Sequence, residues 1–225
     1  MAKESRLKKF LYDNSLSLVL GGLFLAFLVG LFVTGYRQEN ENLQAHNQPT
    51  ISMSEYARSG EFGEAVFENW ESEFLQMWAL VMLTIWLRQK GSTDSKKIRG
   101  TEAVDATPRF SVLHAHTWRQ RRRAVAHTLY SNSLGLALLV LFVMSFALHA
   151  VTGTTAYNEQ AIEHGEPALG VLAYLMTSQF WFESFQNWQS EFLAVVSLLL
   201  LSVFLRQHGS PESKPIGEPN KATGE

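Results

Sequence analysis

The chain has 225 residues, with 19 basic and 21 acidic side chains, a net charge of −2 and no cysteine. The absence of cysteine excludes a disulfide framework, a zinc-thiolate centre and any thiol chemistry. Composition averages conceal the main feature, which is that apolar residues are concentrated in a few blocks and the charges lie between them.

In chain order, residues 1–10 form a polar start carrying Lys3, Arg6, Lys8 and Lys9. The uncharged stretch "SLSLVLGGLFLAFLVGLFVTG" follows at 15–35. A helix needs about 20 apolar residues to cross a hydrocarbon core of ~30 Å. The stretch outruns the ~7–15 residues of a signal-peptide core, and it has a near-twin in mid-chain, so a retained span over about 15–34 is predicted. Gly22, Ala26 and Gly30 make a ridge of small residues on it. Such a ridge permits close helix approach, inside the bundle or in a homodimer.

The next apolar run, "FLQMWALVMLTIWL" at 74–87, is short for a span. Extended back through Trp70 and Phe67 it reaches about 21 residues, or ~31 Å. That places Trp70 at one interface and Arg88 at the other, the positions favoured by aromatic belts and snorkelling cations. A basic linker at 99–128 follows, containing "TWRQRRRAVAHTLY". It is read as a surface helix whose Arg119, Arg121, Arg122 and Arg123 meet anionic lipid headgroups. No nucleic-acid recognition fold accompanies it, so nucleic acid is not expected as a partner. His114 and His116 in this linker are read as solvated loop residues rather than metal ligands. Two more spans are predicted at about 133–152 and 185–205, with Trp188 and Arg206 as the matching anchors. Residues 217–225 read as a disordered polar tail.

The two halves are copies. At an offset of 118 residues, 11–98 aligns with 129–216 without a gap, with 35 identities in 88 positions. "ENWESEFL" at 68–75 returns as "QNWQSEFL" at 186–193. A fixed period of this length means a repeated structural unit. Of the 19 basic residues, 17 fall on one side of a four-span arrangement, and only Arg37 and Arg58 on the other. The positive-inside rule then puts both termini and the linker in the cytoplasm. Each unit crosses twice, so the repeats are parallel, with a pseudo-two-fold axis along the membrane normal. The uncharged stretch 168–182 aligns with the charged 50–64, so an interfacial or half-buried helix rather than a fifth span is expected there.

Within the repeat, Asn69 and Glu73 recur as Asn187 and Glu191 at the mouth of an apolar helix. Glu73 lies 15 residues before Arg88, or ~22 Å along a helix. A carboxylate at that depth must be paired, protonated or wet. Two readings stand: a structural hydrogen bond at the outer interface, or two glutamates facing one another as a proton or cation site. His46 and His164 recur in the outer loops, each three residues before a proline, and a turn contact is expected. His149, near the outer end of the third span, is expected to make a local hydrogen bond. No nucleotide loop, nucleophile elbow or metalloprotease motif is present. No cofactor and no metal are expected.

"FESFQNWQSEFL" with "FLRQHGSPESKP", echoed by "FENWESEFLQMWALVMLTIWLRQKGS", resembles a bacterial membrane-protein family catalogued only as a domain of unknown function. The resemblance spans 7–98 and 125–216 and is most specific at NWxSEFL and LRQxGS. It implies a bacterial inner membrane and carries no activity or site residue. The expectation is an all-α membrane protein of four helices in two tandem units, 11–98 and 129–216. As function, a structural or regulatory membrane component leads, with an unidentified membrane partner or a second copy. A proton- or cation-coupled channel or transporter is the alternative, and a membrane-embedded enzyme the lesser one.

Overall fold

The computed structural model describes residues 6–106 and 117–223. Its regular elements are helical throughout: α1 (Arg6–Asp13), α2 (Ser15–Ala45), α3 (Met53–Tyr56), α4 (Gly60–Trp86), α5 (Trp118–Ser131), α6 (Ser133–Glu163), α7 (Val171–Tyr174) and α8 (Ser178–Phe204), with one 3₁₀ turn at Ala103–Asp105. The bounds of α2, α3 and α4 return in α6, α7 and α8 at the offset of the sequence repeat. Local contacts return with them. Asn40 Oδ1 accepts the Ile51 N–H at 2.8 Å, and Asn158 Oδ1 accepts that of Leu169 at 2.7 Å. Each asparagine thereby fastens the C-terminal part of a long helix to the chain that follows it.

Start and stop signals explain the helix limits. Ser59 and Thr177 accept the N–H groups of Phe62 and Phe180, capping α4 and α8, as N-terminal hydroxyls do. The Thr177 cap divides the uncharged 168–182 stretch into the short α7 and the start of α8, so it is not one continuous helix. At the far ends, Arg88 Nη1 reaches the carbonyls of Ile85 at 3.2 Å and Leu87 at 2.9 Å. Arg206 does the same with Val203 and Leu205. These guanidinium groups satisfy carbonyls that no helical N–H can reach. His46 and His164 cap α2 and α6 through Nδ1 contacts to Asn42 and Gln160 carbonyls.

Among the described residues, three helices are long and apolar enough to cross a membrane: α2, α6 and α8. α4 matches α8 in length, but Asn69, Glu71, Ser72, Glu73 and Gln76 lower the mean hydropathy of its apolar half. The helices turn much of their apolar surface outward; the most apolar stretch of α2 has no buried residue. Leu16, Phe27 and Val29 are all more than half exposed. An apolar surface of this extent calls for lipid or a partner around it.

The most extensive packing joins the two units, α4 against α6, and α4 also packs on α8. Close approach of α4 and α6 rests on Gly60 and Gly63. A Cβ at Gly63 would stand 2.5 Å from Thr152 Cγ2, and one at Gly60 would run into the backbone nitrogen of Ala156. In lipid, association depends on such contact rather than on removing apolar area from water. The repeat counterparts are Ser178 and Trp181 on α8, Thr34 and Gln38 on α2. Side chains of that size prevent the same approach, and α8 does not pack on α2 to a comparable extent. The chain therefore does not form, by itself, the two equivalent interfaces that an axis along the membrane normal would generate. α2 instead leans on unit one through rings, Phe24 on Trp70 and Phe32 edge-on to Phe62 at 5.2 Å.

The tail also differs from expectation over 217–223. Arg206 Nη2 donates to Glu218 O and Asn220 Oδ1, Lys214 Nζ donates to Asn220 O, and Thr223 Oγ1 accepts the Gly91 N–H at 2.7 Å. These bonds fold the segment onto the loop that follows α4. His114 and His116 lie outside the described residues.

A buried glutamate–histidine cluster as the candidate functional site

Glu64, Glu68 and Glu71 recur on α4 at spacings of four and three, which puts them on one helical face. α6 contributes His149, α7 contributes Tyr174, and α8 contributes Glu183 and Trp188. Glu71 and His149 are both 0% exposed. His149 Nδ1 stands 2.7 Å from Glu71 Oε2, and Trp188 Nε1 donates to Glu71 Oε1 at 2.8 Å. An ionised carboxylate only accepts, so Nδ1 carries the proton. The second nitrogen, Nε2, is buried without a hydrogen-bond partner. It faces Glu183 Oε2 across 3.7 Å, beyond hydrogen-bond range.

Tyr174 lies below these groups, completely buried. Its hydroxyl is 2.8 Å from Glu183 Oε2 and 3.1 Å from Glu64 Oε1. Burial, then the neighbouring Glu64 carboxylate, raises its pKa and keeps it a donor. One phenol proton serves one carboxylate at a time. Gly153 makes the room, since a Cβ there would meet Tyr174 Oη at 2.7 Å and Glu64 Oε1 at 2.8 Å. Phe180 stacks on the His149 ring at 4.8 Å and is itself edge-on to Phe146. The cluster thus has an apolar wall on one side and acids on the other. Glu68 lies within electrostatic reach of His149, Glu183 and Glu71.

Four carboxylates converge here on one imidazole. Among the described residues His149 is the only basic side chain within ion-pair distance of any of them. Charges removed from water are tolerated only when paired or neutralised. The arrangement is therefore built to take up positive charge.

Apart from Trp188, the residues singled out from sequence stand elsewhere. Glu73 is exposed and Glu191 half-buried, within electrostatic reach of one another. Asn69 and Asn187 bond back to Ala65 and Glu183 carbonyls of their own helices. Trp70 packs at a tilt against Phe24 and edge-on to Phe67, whereas Trp188 belongs to the cluster. Arg119, Arg121, Arg122 and Arg123 are exposed on α5, with Arg122 over the Trp118 ring. A Cβ at Gly22 or Gly30 would meet nothing within 4 Å, so the small-residue ridge with Ala26 does not pack inside the described bundle. A groove of about 270 Å³ between α4 and α8, lined by Leu80, Leu83 and Leu199 among others, shares no residue with the cluster.

The sequence reading missed the cluster because it followed what the copies share. The counterparts of His149 and Glu183 in unit one are Leu31 and Ala65, and those of Glu64 and Glu71 in unit two are Phe182 and Gln189. The available signal was the reverse: acids at helical spacing and a lone histidine in an apolar helix, present in one copy only.

Residues 7–225 match a family described as a domain of unknown function, DUF6766, and the chain belongs to that family. No curated protein matches the chain, and no solved structure does.

Proposed function

We propose that this DUF6766 protein is a four-span inner-membrane component whose buried glutamate–histidine cluster binds and releases cations. The fourth span is α4. Its acids Glu64, Glu68 and Glu71 turn toward α6 and α8 rather than toward lipid, which supports a helix that crosses inside protein contact despite its low hydropathy. With the basic linker and both termini in the cytoplasm, His149 sits 16 residues beyond Ser133, ~24 Å along α6 and so in the outer half of the bilayer. Arg119, Arg121, Arg122 and Arg123 then lie at the inner surface, where anionic headgroups are their partners.

The observation that carries the reading is the charge imbalance. Four acids and one imidazole share a water-poor space, with a single phenol proton between Glu64 and Glu183. A bound proton or metal ion removes the repulsion, and its departure restores it. Because α4, α6, α7 and α8 each supply a group, occupancy sets how firmly these elements are held together. This makes a cation-coupled transporter or a cation-responsive regulatory component, and it moves the site from Glu73 and Glu191 to the cluster.

The test is unfolding of the full chain in detergent, followed across pH and added cations. The expected result is a midpoint that depends on cations in the wild type and loses that dependence in Glu64→Gln with Glu183→Gln. A midpoint indifferent to pH and to every cation tested would remove the proposal.

A further inference from the structure

We infer that Glu64, His149 and Glu183 hold one divalent first-row transition-metal ion, an assignment that rests on the cation-binding reading and names its occupant. One ligand atom from each of the three residues lies within 4.8 Å of the others. An ion bound to nitrogen and oxygen at ~2.1 Å sets its ligand atoms ~3–3.4 Å apart. Nε2 and Glu183 Oε2, at 3.7 Å, are already close to that spacing.

The second observation is the state of His149. Its Nδ1 is engaged by Glu71, which leaves Nε2 buried, unpartnered and aimed between the acids. Metal-bound imidazole has this arrangement, in which a carboxylate fixes the tautomer on one nitrogen and the other faces the ion. Trp188 holds the opposite oxygen of Glu71 and so orients the orienting group. Burying an imidazole lone pair with no partner is costly, and a metal ion supplies the partner.

The donor set narrows the ion. Two carboxylates and an imidazole suit manganese, iron, cobalt or zinc. All-oxygen sites are preferred by magnesium and calcium, and copper(I) seeks sulfur donors that a chain without cysteine does not have here. Glu64 and Glu183 are half-buried rather than sealed, which leaves a route for entry and a further coordination position.

The experiment uses the full chain in detergent, stripped with a chelator and titrated with Co²⁺ and then Zn²⁺. The expected result is one Co²⁺ per chain with a visible ligand-field band, displaced by Zn²⁺ and untouched by Mg²⁺. His149→Ala and Glu183→Gln should each weaken binding by about 100-fold, and Glu71→Gln by ~10–100-fold. Glu73→Gln should leave it unchanged. X-ray absorption of the zinc-loaded wild type should show only nitrogen and oxygen donors, including imidazole. A folded wild-type chain that binds neither ion stoichiometrically below about 100 µM overturns the metal assignment whatever the variants do. If that same chain still shows pH-dependent stability requiring Glu64 and Glu183, the proton is the cation and the broader reading stands. If it shows neither, both are overturned.

Discussion

His149 Nδ1 and Glu71 Oε2 meet at 2.7 Å with neither side chain reaching solvent, one on α6 and the other on α4. The contact ties the first unit of the chain to the second at the centre of the acidic cluster. Removing one partner leaves the other buried and unpaired, which costs ~3–5 kcal/mol. Glu71→Leu should lower stability by about that amount in denaturant unfolding. The double change Glu71→Gln with His149→Leu installs the residues of the other copy, Gln189 and Leu31. It should cost less than the two single changes summed, with a coupling of at least ~1 kcal/mol. Additive losses would show that the pair does not act as a unit.

Gly63 is expected to tolerate no larger residue. Gly63→Ala places a methyl group 2.5 Å from Thr152 Cγ2, and overpacking of this kind costs ~1–3 kcal/mol. Adding Thr152→Ser removes the obstructing methyl and should recover a good part of the loss. Thermal unfolding of the two variants measures both effects.

Arg206 joins the end of α8 to the tail through Glu218 O and Asn220 Oδ1. Arg206→Ala should cost ~1.5–3 kcal/mol locally, as loss of charge-assisted hydrogen bonds does. The readouts are faster proteolysis within 217–223 and faster amide exchange at Gly91, whose N–H is held by Thr223. Arg88→Ala, which has no tail contact of this kind among the described residues, should leave both unchanged.

Topology can be read against a silent background, because the chain has no cysteine. With α4 as a span, a cysteine placed at Gln48 should react with an impermeant maleimide on intact cells, and one at the exposed Lys90 should react only after lysis. Labelling of both positions from the same face would mean that α4 does not cross.

The repeat and the apolar stretches of the long helices are legible in the sequence because they depend on local and averaged properties, whereas the helices run past those stretches, to Ala45 and Glu163 at one end and from Gly60 and Ser178 at the other. Uncharged runs at 15–35 and 131–153 form helices wherever backbone groups must be satisfied internally. Ser59, Thr177, Arg88 and Arg206 mark ends through bonds to residues a turn away. Comparing the copies picked out the paired arginines and the Asn-Trp motif, and passed over Asn40 and Asn158, which both units use to fasten a long helix.

What the sequence could not order was which copy faces which. Gly60 and Gly63 let α4 sink onto α6, and Trp181 denies α8 the same approach, so one interface forms in depth and its counterpart does not. That single packing choice draws Glu64, Glu71, His149 and Glu183 together from positions up to 119 residues apart. Side chains on separate helices acquire common chemistry only when the helices close on one another. The sequence alone thus determined the repeat and the apolar stretches of its helices, and the tertiary structure decided where the charge would collect.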